Sequence, residues 1–156
     1  ADFACEFASK VIRSFATTPS EYADAVSLYF EGTHFVFDED LFIATDKILT
    51  LNWELDENDL RSVLTLPYRV AEERNTKLYV ILHEFQNALL FDDPDLFLKT
   101  LETVMKANPN GKASYILIGS QVNAMKEIFE HGISSIVWSR GSNFPRWIRR
   151  KSSNSP

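Results

Sequence analysis

Leu78-Tyr79-Val80-Ile81-Leu82-His83-Glu84-Phe85-Gln86-Asn87 is the stretch on which the fold reading turns. Five apolar residues, two of them β-branched, follow Lys77 and end abruptly at polar ones. The run is too short for a helix face and reads as a strand buried on both faces of a parallel sheet. Ligands of such sheets bind just beyond the strand C-termini. Glu84 and Gln86, with His83 before them, are therefore delivered to the edge where chemistry is done.

On the N-terminal side, residues 2–17 carry Phe3, Phe7, Val11 and Phe15 at four-residue spacing, which predicts an amphipathic helix. Thr17-Thr18-Pro19-Ser20 ends it, and Ser20 is placed to cap a second helix carrying Tyr22, Val26 and Tyr29 before Gly32. Between 33 and 55 the pattern turns β-branched and aromatic, in His34-Phe35-Val36-Phe37 and Ile48-Leu49-Thr50-Leu51-Asn52-Trp53, with an acidic connector between them. A hairpin-like insertion is expected there. Residues 56–74 return to helical spacing through Leu60, Val63, Leu64 and Val70, with Pro67 expected to kink or split the helix.

On the C-terminal side, Asp92-Asp93-Pro94 opens a helix whose buried face is Leu96, Phe97, Thr100, Leu101 and Val104, and Asn108-Pro109-Asn110-Gly111 stops it. Tyr115-Ile116-Leu117-Ile118 is a second short strand, followed by Gly119-Ser120-Gln121 and a helix over 122–131. Strand, helix, strand and helix in this order make the two strands parallel, with Glu84 and Ser120 at one edge. No internal repeat appears.

A chain of 156 residues bounds the answer to one domain. Twelve Phe, five Tyr and three Trp suit a thick core or an interface. The lone Cys5 excludes an intrachain disulfide, and no cationic and apolar leader stands near Ala1, so a cytoplasmic address is expected. No apolar run approaches the roughly 18 residues of a membrane span. The net charge of −6 conceals an asymmetry: residues 140–156 hold Arg140, Arg146, Arg149, Arg150 and Lys151 without an acid. This basic stretch reads as a solvated, flexible tail, the alternative being a few sequence-independent phosphate contacts to nucleic acid.

Glu84 is the central candidate for chemistry, since a carboxylate at a strand end can orient water for in-line attack. Its other reading is a strand-terminal acid that caps the next turn. Ser120 occupies the corresponding place on the next strand, as a sensing hydroxyl or as the N-cap of the helix after it. His83 is a poor ligand for hard Mg²⁺ and reads as a structural histidine, and His34 and His131 are too isolated in sequence to complete a metal set. No metal site is expected. A phosphate-wrapping Gly-x-x-x-x-Gly-Lys-Ser/Thr loop is absent: the nearest echo, Asn110-Gly111-Lys112-Ala113-Ser114, has Lys106 where the first Gly belongs and precedes a strand. Cys5 has no nearby base and makes no nucleophile.

The segment 49–129 resembles the archaeal-type P-loop ATPases of the AAA+/STAND group, found also in Bacteroides-like bacteria. Leu64-Thr65-Leu66-Pro67-Tyr68-Arg69-Val70-Ala71-Glu72-Glu73 resembles the helix that leads into the family's Walker B strand. His83-Glu84-Phe85-Gln86 matches Asp-Glu-Phe-Gln at three of four positions, Ile116-Leu117-Ile118-Gly119-Ser120-Gln121 resembles the sensor-1 strand, and Met125-Lys126-Glu127-Ile128-Phe129 the helix beyond it. The departures are that His83 replaces the first Walker B acid, and that the family's first strand, phosphate loop and second strand would all precede Ala1.

The resemblance implies a three-layer, partial P-loop-like α/β fold with a mainly parallel sheet and helices on both faces, over residues 1–139. It implies Glu84 and Ser120 as catalytic, and His83, Gln86 and Gln121 as cofactor-contacting, with ATP and Mg²⁺ as the cofactors. The expectation is a degenerate or truncated ATPase core that does not hydrolyse ATP alone; if another chain supplies the missing N-terminal piece, Glu84 is the catalytic base and Ser120 the sensor, the candidate partners being a second copy or a homologous ATPase chain. The alternative is a non-catalytic interaction module that self-associates or pairs with a homologue through open sheet edges.

Overall fold

A computed structural model describes residues 1–107, 111–133, 136–140 and 145–149, the last two as backbone. The chain divides into two compact units, Ala1–Asn75 and Thr76–Pro156, where the sequence pointed to one domain through 139. The α/β class holds. No described helix is long and apolar enough to cross a membrane.

The first unit is mainly helical. Helix α1 (Asp2–Arg13) buries Ala4, Phe7, Ala8, Val11 and Ile12 on one stripe, and ends four residues before the expected stop, with Ser14 as its C-cap. Helix α2 (Pro19–Tyr29) is capped by Thr18, not Ser20. The Thr18 hydroxyl accepts from the Glu21 N–H at 3.3 Å, and the Glu21 carboxylate accepts from the Thr18 and Thr17 N–H groups at 3.0 and 2.7 Å. Pro19 then stands at the first helical position, where its missing N–H costs nothing. Strand β1 (Phe35–Val36) and β2 (Thr50–Leu51) form the expected antiparallel pair, in register Phe35 to Leu51.

The connector between these strands is not irregular: it folds as α3 (Glu39–Thr45), with the Asp38 carboxylate accepting from the Leu41 N–H at 2.9 Å. Tyr22, Phe37 and Phe42 stack mutually, at centroid distances of 5.4 to 6.5 Å, and pin α3 to α2. Helix α4 (Glu57–Glu73) runs through Pro67 without splitting. Proline inside a helix costs about 3 kcal/mol, and α4 buries Leu60, Val63, Leu64, Leu66, Pro67, Val70 and Ala71 against that cost.

In the second unit β3 (Leu78–Leu82) leads into a 3₁₀ helix over Phe85–Leu90, then α5 (Pro94–Ala107), β4 (Ala113–Leu117), α6 (Val122–Glu127) and a wide turn of helix over Ile128–Gly132. The Asp93 carboxylate caps α5 through the Leu96 N–H at 2.9 Å. The buried face of α5 uses Leu98 in place of the expected Leu96. Strands β3 and β4 are parallel, Leu78 opposite Ala113 and Leu82 opposite Leu117, as the alternation of strand and helix required. Phe85 packs against Phe97 and Phe129 at 6.3 and 6.4 Å and anchors the chain directly after β3.

The sheet differs from the expectation in two respects. Among the described residues β3 pairs with β4 in parallel, whereas β1 with β2, and β5 (Ile136–Arg140) with β6 (Pro145–Arg149), are antiparallel. The parallel pair is also buried on one face only: Tyr79, Ile81 and Ile116 are 64%, 51% and 38% exposed, while Ala113, Tyr115 and Leu117 are buried. The uniform apolar run of β3 hides this alternation, because both faces carry apolar residues whether or not anything covers them. A three-layer arrangement is not seen among the described residues. Residues 145–149, assigned from sequence to the tail, form strand β6. The expected stop at 108–110 and the end of the tail at 150–156 lie outside the described residues.

Candidate functional site

The parallel pair breaks register where the polar residues begin. The Ile118 N–H donates to the Leu82 carbonyl, and the Ile118 carbonyl accepts from the Phe85 N–H, both at 2.9 Å. A regular parallel ladder would take that second bond from the Glu84 N–H. Glu84 is thus an extra residue in a bulge, and its φ of 52° lies in the left-handed region. The other described non-glycine residues with positive φ are Asp46 and Asn75, types that tolerate this conformation; a glutamate does so less readily. The buried Phe85 that follows holds the chain in this shape.

The bulge brings Glu84 to Ser120, which stands after Gly119 at the end of β4. The Ser120 hydroxyl donates to Glu84 Oε2 at 2.6 Å. Gln86, from the 3₁₀ helix, donates through Nε2 to the same Oε2 and approaches Ser120 Oγ at 3.4 Å. These bonds, Ser120 first and Gln86 second, hold the Glu84 carboxyl below its ordinary range, with a smaller electrostatic contribution from His83. One carboxylate oxygen is doubly held, and no protein donor reaches Oε1 among the described residues.

Gln86 and Gly119 complete the arrangement. Gln86 is 4% exposed and its Oε1 has no hydrogen-bond partner. A buried acceptor left so costs about 1–3 kcal/mol. A Cβ at Gly119 would stand 2.6 Å from Gln86 Oε1 and overlap the Met125 side chain, so only glycine lets both pack there.

The structure brings together three of the five residues expected at this edge: Glu84, Ser120 and Gln86. Gln86 is buried, and its Nε2 is turned to Glu84 and Ser120. His83 is exposed and takes no structural role in the core. Gln121 is exposed at the N-cap of α6, makes no side-chain cap bond, and does not join the Glu84 group. Glu84 stands at the N-cap of the 3₁₀ helix, where its carbonyl accepts from the Asn87 N–H, but its side chain makes no cap bond, and the N-cap of α6 is Gln121, not Ser120. The bulge and the role of Gly119 were not read from the sequence; the adjacency of a glycine to the strand-terminal Ser120 was the available signal.

A second cluster, in the first unit, joins a residue set aside as isolated. Ligand atoms of His34, Asp56 and Asp59 lie within 4.8 Å of one another. Asp59 is fully buried. Its oxygens accept from the His34 N–H at 2.8 Å and the Asp56 N–H at 3.0 Å and face His34 Nδ1 at 2.9 Å, while Asp56 accepts from the Asp59 N–H at 2.8 Å. Asp56-x-x-Asp59 is a capping box that also clamps β1. Burial acts to raise the Asp59 carboxyl, but the hydrogen bonds from Asp56 and His34 prevail and lower it; the bond to Asp59 raises His34. Both Asp59 oxygens are committed to the fold, which gives the cluster a structural role, while Asp56 Oδ2 only approaches His34 Nδ1 at 3.7 Å. No protein-family model, curated protein or solved structure matches the chain.

Proposed function

We propose that the second unit carries the hydrolytic edge of a nucleoside-triphosphate site: a degenerate, P-loop-type ATPase core in which Glu84 stands as the water-orienting carboxylate and Ser120 as the sensing hydroxyl. The observation that carries this reading is the 2.6 Å bond from Ser120 to Glu84 across the C-terminal ends of two adjacent parallel strands, the edge at which α/β sheets take ligands. The left-handed backbone at Glu84 adds to it, because strained residues concentrate at working sites.

Glu84 stays ionised and offers Oε1 to a water hydrogen; its lowered proton affinity favours orienting the water over removing its proton. The donors present, one free carboxylate oxygen and an exposed imidazole, do not fit Mg²⁺, which prefers an oxygen octahedron. No step is therefore assigned to a metal. A phosphate cradle is also absent among the described residues, so hydrolysis requires a cradle from outside them, and on this reading a homologous ATPase chain can supply it together with the rest of the three-layer frame. The chain alone is expected to be warmed in its melting transition by millimolar ATP with Mg²⁺ and to release no phosphate. An unchanged transition at those concentrations overturns the reading.

A second reading is favoured by one observation, the exposed face of Tyr79, Ile81 and Ile116 on a parallel pair. Parallel sheets are ordinarily covered on both sides. On this reading the chain is an interaction module that self-associates or pairs with a homologue, and its sedimentation coefficient rises with concentration. A monomer over a hundredfold concentration range excludes self-association.

A further inference from the structure

Gln86 is a costly residue where it stands. It is buried, its Oε1 meets no donor, and its neighbours are the Met125 side chain and the bare Cα of Gly119. A methionine or leucine would fill the same space without an orphaned acceptor. What the amide supplies and an apolar side chain cannot is a donor, and Nε2 gives it to Glu84 Oε2 and, more loosely, to Ser120 Oγ. The orientation of the amide is dictated by its neighbours: turned over, Oε1 would face a carboxylate, acceptor against acceptor. The space left by Gly119 fixes where the carbonyl must then go.

The geometry points to Gln86 as the positioning residue of Glu84: its buried amide, with the Ser120 hydroxyl, immobilises Oε2 and leaves Oε1 as the single acceptor open to a proton-donating ligand, a water or a hydroxyl. Gln86 touches no ligand and acts through the carboxylate. The inference rests on reading Glu84 as the working carboxylate of a nucleotide-type site, but it is tested without nucleotide. Among the described residues, His83 is the titratable neighbour whose charge acts on Glu84, and Ser120 and Gln86 are the polar groups that face it.

The experiment is an NMR titration of the Glu84 side-chain carboxyl in the full chain, in the parent and in Gln86→Met and Ser120→Ala. Methionine preserves volume and removes the donor, so the Glu84 midpoint in Gln86→Met moves upward, toward the ordinary carboxylate range, while the backbone amide spectrum keeps its dispersion. A midpoint that stays in place overturns the inference. If Gln86→Met does not fold, the parent decides. The Gln86 side-chain NH₂ protons exchange with water more slowly than those of exposed Gln121, and that protection falls as Glu84 is protonated. Exchange as fast as that of Gln121 overturns the inference. A Glu84 clamped in this way in a chain that ignores ATP leaves the positioning role standing and removes the nucleotide reading.

Discussion

The chain holds two carboxylate clusters, and they are built on opposite plans. In the first unit every oxygen of Asp59 is spent on a backbone or ring donor, the residue is buried, and the cluster joins the cap of α4 to strand β1. In the second unit Glu84 stands exposed on a left-handed bulge, has one oxygen held twice and the other not at all, and relies on a buried amide with an unsatisfied carbonyl. The first plan minimises free energy. The second leaves part of it unminimised at a sheet edge, which is the mark of a group kept for a ligand. The same side-chain chemistry thus serves architecture in one place and recognition in the other.

The largest expected effect separates them by stability. Asp59→Ala strands the His34 and Asp56 backbone N–H groups and removes the side-chain half of the capping box at α4, and is expected to cost about 2–4 kcal/mol in urea denaturation followed by circular dichroism. A loss under about 1 kcal/mol would break the structural assignment of that cluster. Next comes Gly119→Ala, which pushes a Cβ into Gln86 and Met125 and is expected to cost about 1–3 kcal/mol as overpacking. It should also displace the Glu84 carboxyl signal. A neutral Gly119→Ala would show that the packing behind Glu84 is slack.

The pH dependence of the first unit sharpens the comparison further. His34 is raised from its ordinary 6.5, so its contribution is complete below that value in the unfolded chain and is lost as pH rises through the higher folded value. Asp59 is lowered from 3.8, so its contribution is present above 3.8 and is lost as pH falls through the lower folded value. Stability of this unit should peak between the two, and His34→Asn should remove the decline on the alkaline side while leaving the acid one. A decline unchanged in His34→Asn would assign it to another group. The smallest effect is Glu84→Gly: relief of the left-handed strain offsets the lost hydrogen bonds, and the melting midpoint is expected to hold or rise although the centre is destroyed. A marked fall would class Glu84 with Asp59.

Much of the frame was legible because it rests on local rules. The strand at Leu78–Leu82, its parallel partner and the adjacency of Glu84 and Ser120 follow from apolar runs separated by a helical stretch. The stripe of α1 and the cap of α5 follow from spacing and from an Asp before a Pro. What escaped was decided by tertiary packing. Pro67 passes through α4 because burial on both sides of it outweighs a local cost that the sequence alone makes decisive. Helix α3 forms in an acidic connector because Asp38 caps it and Phe42 finds Tyr22. His34 meets Asp59 from 25 positions away in the sequence, a distance at which no spacing rule operates. The bulge at Glu84 depends on which N–H the Ile118 carbonyl accepts, and the sequence carries no mark of that choice.

The central claim, that Glu84 is a carboxylate kept for a nucleotide, is tested most directly by calorimetric titration of the chain with ATP and Mg²⁺, beside Glu84→Gln and Ser120→Ala. The account predicts binding without phosphate release, with an enthalpy that changes in Glu84→Gln and changes again in Ser120→Ala. No heat of binding at millimolar nucleotide, or the same heat in all three chains, would contradict it.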